Sequence, residues 1–378
     1  MTGSGTIGDP YIIMTFADLQ SVESYADGGG VVYGYWELGA DIDCSGALFV
    51  PICDGLATIF AGSFDGAGFV ISNLTVSTTR YGGLFGSVLG IVGTAILKDI
   101  VLTDVSISSS GAYAGGLSGQ VLSNVTVSGC SSTGSVVCGD NCYVGGLFGY
   151  VASGSTITTC LSSCDVTGGA TSTVGGLVGM SESDITYSMA RGDVIAGPGS
   201  YAGGFVGFLS SCSTTECCSF GDVSQSGSGA GIYIGGFVGI QSGAGSYDCF
   251  ARGDVSLGIG SGYIGGFASY TSGNNIERCY ASGVVGATGG GFMYDGGSLL
   301  CVASVWDTDT GGATGIVVSD GGGVTGKTTT EMQSPSTFSA LGWDTATVWK
   351  CENGSYPILM TFSVQSVRTE PVSEVLVE

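Results

Sequence analysis

No histidine occurs anywhere in the 378 residues. That removes the commonest general base, the His-dependent triads and the commonest nitrogen ligand for metals, and leaves any chemistry to carboxylates, thiols or tyrosines. Positive charge is scarce too: eight Lys and Arg stand against 31 Asp and Glu, a formal net charge of −23. Such a surface repels nucleic acid and anionic membranes and suits a body that attracts cations. Proline is only 6 residues while 43% of the chain is hydrophobic, so the 72 glycines point neither to collagen nor to disorder. Long apolar runs are missing: the most apolar stretch, Leu84 to Leu97, is broken by Gly and Ser and is too short to span a bilayer, so no membrane insertion is expected. Met1 to Gly5 shows neither a basic n-region nor an apolar h-region, and no signal peptide is visible.

What is abundant is repeated. The pattern Tyr-x-Gly-Gly-(Leu/Phe)-x-Gly runs from Tyr113 to Gly119, Tyr143 to Gly149, Tyr201 to Gly207 and Tyr233 to Gly239. Variants are Tyr81 to Gly86, Thr173 to Gly179, where Thr replaces Tyr, and Tyr263 to Phe267, which stops before the last Gly. The glycine pairs are Gly82 and Gly83, Gly115 and Gly116, Gly145 and Gly146, Gly175 and Gly176, Gly203 and Gly204, Gly235 and Gly236, and Gly265 and Gly266. Their first members are 33, 30, 30, 28, 32 and 30 residues apart. A period in this range marks an architecture in which each unit buries its apolar face only against its neighbours. Between the pairs, short Val, Ile, Thr and Ser runs alternate with Gly and Asn turns, as in Ser123 to Gly129, which predicts strands of about four to six residues. The expected fold is all-β: a right-handed parallel β-helix with one coil of about 30 residues per repeat and caps at both ends. The glycines would supply positive φ and close backbone approach, with the flanking Tyr and Leu or Phe filling the space between rungs.

A second register runs beside the first. Cys130, Cys160, Ser188, Cys217, Cys249 and Cys279 each stand six residues before a recurring Val. Stacked one coil apart, about 4.8 Å, they form either an inward ladder of reduced thiols or bridges such as Cys130 to Cys160 and Cys249 to Cys279. Cys44 with Cys53, and Cys138 with Cys142, are loop candidates for disulfides. Asp165, Asp193, Asp222 and Asp254 share one repeat position and would repel unless exposed or bridged; calcium there is the one metal candidate, and no other cofactor is expected. Arg191-Gly192-Asp193 and Arg252-Gly253-Asp254 fall on the repeat's own x-Gly-Asp-Val segment and read as decoration of a structural turn. Asn73, Asn124 and Asn353 head N-glycosylation sequons. Asp41 with Asp43, and Asp99 with Asp104, are the nearest carboxylate pairs for the kind of chemistry that pectin-cleaving β-helices perform, but neither lies in a recognisable catalytic motif and no enzyme is expected. No Thr register is consistent across the repeats, so the regular array that ice binding needs is not expected.

The Tyr-x-Gly-Gly-Leu-x-Gly unit resembles the GLUG motif of repeats in bacterial and microbial surface proteins, including regions beside IgA-peptidase-type modules. The flanks extend the resemblance, from Gly5 to Ile13 and Phe16 to Leu19 at the start to Trp306 to Thr308, Thr325 to Met332, Gly342 to Asp344 and Tyr356 to Leu359 at the end. It implies a β-solenoid in a secreted or cell-surface protein, with no single activity to carry over. The expected organisation is an N-terminal cap and first coils over 1–80, the repeat array over 81–302, a capping region over 303–362 and a tail over 363–378 that could be donated as a strand. The expected function is that of a non-enzymatic extracellular structural or adhesive solenoid, which presents a surface for attachment to a host or extracellular ligand such as a glycan, or assembles into a fibre or filament. A virion- or cell-surface filament subunit, assembled by coil-end stacking or tail donation, and a polysaccharide-binding or polysaccharide-cleaving β-helix are the alternatives.

Overall fold

The computed structural model describes residues 1–54, 57–273, 275–297, 300–312, 314–317 and 323–363. The tail expected to be donated as a strand lies, from residue 364 onward, outside the described residues. The chain winds into a parallel β-solenoid. One coil runs through Tyr113–Ala114, Ser118–Val121, Val125–Ser128 and Ser131–Cys138, and each strand pairs in parallel with its counterpart about 30 residues on. Stacking the coils makes four long sheets. The first has 11 strands, from Tyr11–Ile13 to Leu300–Val302; the second has 15, beginning at Ile42–Asp43 and ending at Val324–Lys327. The third has 10, from Val31–Val32 to Met293–Asp295, and the fourth has six, from Tyr113–Ala114 to Ile259–Gly265.

Period-2 patterning sends alternate side chains inward, as in Val125–Ser128, where Val125 and Val127 are buried. The Leu or Phe of each repeat motif points into the coil, and Leu84, Leu117, Leu147, Leu177, Phe205, Phe237, Phe267 and Phe292 form one fully buried column. Its phenylalanine half stacks nearly flat, with centroids 4.8, 4.9 and 5.1 Å apart at 10°, 12° and 3°. Burying each such side chain contributes roughly 1.5–3 kcal/mol.

The glycine pairs are required by close approach. A Cβ on Gly145 would collide with the carbonyls of Phe148 and Leu177, and one on Gly146 with the carbonyl of Gly176 and the Ser162 hydroxyl. Among the motif glycines only Gly83, at φ +153°, takes a positive φ. The sharp left-handed turn sits instead at the corner between the first and second sheets. There Asp99, Gly129, Thr159, Tyr187, Glu216, Asp248, Arg278 and Ala303 hold φ between 50° and 65° on successive rungs.

Segments outside the coils pack on the array near both termini. At the start, helix Phe16–Ser21 is capped by the Thr15 side chain, and the Met1 ammonium pairs with Asp18 at 3.1 Å. At the end, residues 329–363 fold back over the outside of the second sheet. Met332, Phe338, Trp343, Trp349 and Leu359 pack on the outward column Met189, Cys218, Phe250, Tyr280 and Val305. Helix Thr329–Met332 is set by a capping box between Thr328 and Glu331.

Candidate functional site

The outer surface carries two apolar columns, and the chain treats them differently. The column under the C-terminal cap is sealed. Arg252 lies at its centre, its guanidinium 5.1–5.8 Å from the ring centroids of Phe250, Tyr356, Phe220 and Tyr280; it donates to the Tyr280 hydroxyl (2.8 Å) and the Pro357 carbonyl (3.0 Å). Trp349 donates to Asp248 at 2.9 Å, and Asp248 holds Arg278 through two contacts of 2.8 Å. The Arg252-Gly253-Asp254 tripeptide is thus part of the cap's seat. Arg191-Gly192-Asp193, two coils earlier, keeps both charged side chains exposed, with Arg191 resting on Phe220 and Met189.

The second column is the motif tyrosines themselves, on the corner between the third and fourth sheets. Tyr81, Tyr113 and Tyr143 stack on consecutive rungs, and Tyr201, Tyr233 and Tyr263 resume two rungs later and end against Tyr294. A parallel outward line on the third sheet places Tyr150, Met180, Phe208, Ile240 and Tyr270 in register. The lines touch where Tyr150 meets Tyr113 and Tyr143, and where Phe208 meets Tyr201. From Tyr81 to Tyr263 the ridge spans six rung steps, roughly 29 Å. It is half-buried by its own neighbours and open to solvent, with Tyr201 and Tyr263 36% and 38% exposed. Burial raises the phenol pKa of Tyr113 and Tyr233, and burial together with the Glu182 carboxylate lifts Tyr150 to about 12, so all three stay protonated donors.

The thiol column is internal. Cys130, Cys160, Cys217, Cys249 and Cys279 are buried and share their line with Ser188 and Ser304. Each thiol or hydroxyl donates to the carbonyl two residues back, as Cys160 does to Thr158 at 3.3 Å and Ser188 to Thr186 at 2.8 Å. Each can also receive an amide from the preceding rung: Cys160 N–H donates to Ser188 at 3.0 Å, and Cys249 N–H to the Cys279 sulfur at 3.4 Å. A small side chain that both donates and accepts is what the corner needs, and Cys and Ser therefore alternate there. The structure bridges none of the four candidate disulfides, and all fourteen cysteines are free. Cys44 lies beside Asp43, Cys53 beside Glu23 and Thr58, and Cys138 donates to Cys142. Burial pushes Cys160 up to about 12 and Cys130, Cys217 and Cys279 well above the usual thiol range.

The aspartate column has a backbone role. Asp165, Asp193, Asp222 and Asp254 each accept, on Oδ1, an amide N–H of the next rung, at 3.1, 2.9, 2.8 and 2.7 Å. Among the described residues no cluster of three or more His, Cys, Asp or Glu side chains is arranged to hold a metal ion. Asp41 accepts the Val70 amide, and Asp43 accepts from Ser45 and from the side-chain amide of Asn73. Asp99 is a left-handed corner residue, and Asp104 takes φ 53° at the register shift inside strand Val101–Ser109. Asn73 and Asn124 also take positive φ, 58° and 57°, while Asn353 is exposed in the C-terminal cap. A short hydroxyl row escaped the sequence reading: Ser128, Thr158, Thr186 and Thr215 align on consecutive rungs of the first sheet, and Tyr247 ends it.

No family model matches the chain. A 140-residue stretch is 34% identical to halomucin of Haloquadratum walsbyi, over 34% of this chain and 2% of halomucin, so the chain spans a very small part of that relative. A Bacteroides ovatus protein proposed to be an immunoglobulin A1 protease aligns over 95% of this chain and 94% of its own, with TM-score 0.59 and 21% identity. The solenoid is shared. An IgA1 protease structure aligns at TM-score 0.43 and 13% identity, over 71% of this chain and 21% of that one, a likeness too slight to bear weight. The likeness to the Bacteroides ovatus protein is one of fold. Among the described residues no helix is long and apolar enough to cross a membrane.

Proposed function

We propose that this chain is a non-enzymatic extracellular structural module, a capped rod that presents one long face for attachment. The observation behind this reading is the contrast between the two outer apolar columns. Among the described residues, 329–363 cover the one on the second sheet and the tyrosine ridge stays open along its length. Contiguous exposed apolar surface of this extent marks an interaction site. The 140-residue likeness to halomucin is compatible with such a role. Electron microscopy of unreduced protein from its native source tests this. Separate short rods are expected; regular filaments would replace attachment with self-assembly as the function.

A further inference from the structure

We propose that the tyrosine ridge binds an uncharged polysaccharide lying along the coil axis, an inference that rests on the attachment reading above. Charge narrows the partner first. Carboxylates border the ridge: Glu182 is hydrogen-bonded to Tyr150, and Asp295 acts on Tyr233. The guanidinium next to it, Arg80 at one end, is engaged by Asp54. With a net charge of −23 over the chain, a uronate or sulfated polymer is repelled.

The spacing of the phenols narrows it further. Within each run the rings pack on one another in mixed orientations: Tyr113 and Tyr143 at 5.6 Å and 18°, Tyr233 and Tyr263 at 4.7 Å and 38°, Tyr81 and Tyr113 at 4.9 Å and 66°, and Tyr201 and Tyr233 at 5.5 Å and 71°. Each run therefore carries a phenolic hydroxyl, both donor and acceptor, once per rung or about every 4.8 Å. A polymer with its own recurring hydroxyls and weakly polar C–H surface fits such a line.

The tyrosine line is broken at one place, and there the space has a defined width. Thr173 replaces tyrosine, so the aromatic run stops at Tyr143 and resumes at Tyr201, two rungs or about 9.6 Å away. Tyr143, packed against Tyr113 on the rung before, borders this gap on one side and Tyr201 on the other, with buried Thr173 as the floor and Met180 alongside. A six-membered ring placed midway would lie one rung, about 4.8 Å, from the residues on either side, inside the range for ring contacts. The gap is a slot for one sugar unit, and the flanking runs hold the chain on either side.

The test is affinity electrophoresis of the full chain in gels containing soluble β-glucan, xylan, mannan or α-glucan, with polygalacturonate and oligolysine as charged probes. At least one neutral polymer should retard the protein. Tyr143→Ala should weaken that retardation about tenfold, the equivalent of about 1.4 kcal/mol. Thr173→Tyr is the decisive variant, because it restores the residue most other rungs carry and should fold normally while closing the slot. It should weaken retardation to a similar degree, and Tyr187→Ala, away from the ridge, should leave it unchanged. The proposal is overturned if no neutral polymer retards the protein, if only polygalacturonate or oligolysine does, or if Thr173→Tyr and Tyr143→Ala both bind as wild type. Isolated rods that fail on every neutral polymer would refute the glycan while leaving the attachment reading standing.

Discussion

Replacing Phe237 by alanine tests the claim that the coil is held by a column of side chains that touch only their neighbours. Phe237 is fully buried between Phe205, 4.8 Å away at 10°, and Phe267, 4.9 Å away at 12°. Truncation removes the buried ring and leaves a cavity that the rungs above and below cannot close, because backbone hydrogen bonds such as Phe205 N–H to the Phe237 carbonyl (2.9 Å) fix the pitch. The expected loss is about 3–5 kcal/mol. Phe237→Leu should cost far less, about 1–2 kcal/mol, since four rungs of the same column already carry leucine at Leu84, Leu117, Leu147 and Leu177. Urea unfolding followed by circular dichroism gives both values. Limited proteolysis should place new cleavages in the coils flanking residue 237, because stability in a solenoid is a sum over neighbouring contacts. An alanine cost below about 1 kcal/mol, or equal costs for leucine and alanine, would refute this account of the core.

Three further outcomes are expected. Tyr187 holds φ 52° at the left-handed corner with an exposed side chain, so Tyr187→Gly should raise stability by about 1 kcal/mol, and an unchanged or lower unfolding midpoint would contradict corner strain. Native protein treated with iodoacetamide at pH 8 should leave Cys130, Cys160, Cys217, Cys249 and Cys279 unmodified, and the same residues should alkylate fully once denatured without reductant; residues blocked after denaturation would reveal disulfides. The carboxyls of Glu331 and Asp344 are held below their ordinary values of 4.5 and 3.8, chiefly by hydrogen bonds from Thr328 and Thr347 respectively. Their contribution is complete above those values and is lost as pH falls through the lower folded ones, so the C-terminal cap should loosen below about pH 4, seen as a red shift of tryptophan fluorescence. Unaltered emission down to pH 2 would show that these caps do not hold the segment.

The repeat period made the coil legible. Glycine pairs about 30 residues apart can stack only if one coil holds one repeat, and the cysteine and aspartate registers confirm the same pitch in Cys130 to Cys160 and Asp193 to Asp222. The left-handed corner was not legible. Its residues are Asp99, Thr159, Tyr187, Glu216, Asp248, Arg278 and Ala303, chemically unlike one another, and tertiary stacking overrides their local preferences. The hydroxyl row was hidden for a related reason, since its four members mix Ser with Thr and Tyr247 interrupts it. The folded-back cap depends on contacts such as Trp349 to Asp248, 101 residues apart, which no local pattern announces. Of the candidate site, the tyrosines were visible as motif residues. Their exposure was not, because inward Leu or Phe and outward Tyr belong to the same seven-residue unit.

That division of labour within one motif bears on function. The inward Leu or Phe and the paired glycines are fixed by packing: alanine at Gly176 would strike the Gly204 carbonyl, and the buried column tolerates only apolar side chains. The outward tyrosine answers to no such constraint. Thr173 occupies the same position, and its rung keeps the parallel register through Val174 and Gly175. Tyrosine on rung after rung, at a position where threonine also keeps the register, is what the proposed attachment would account for. The sealed column shows what the chain does with apolar surface that has no outside partner: it covers it with Trp343, Trp349 and Phe338. By that comparison an open ridge suits the proposed ligand, and Thr173→Tyr separates the two demands, since it satisfies the fold while altering only the face.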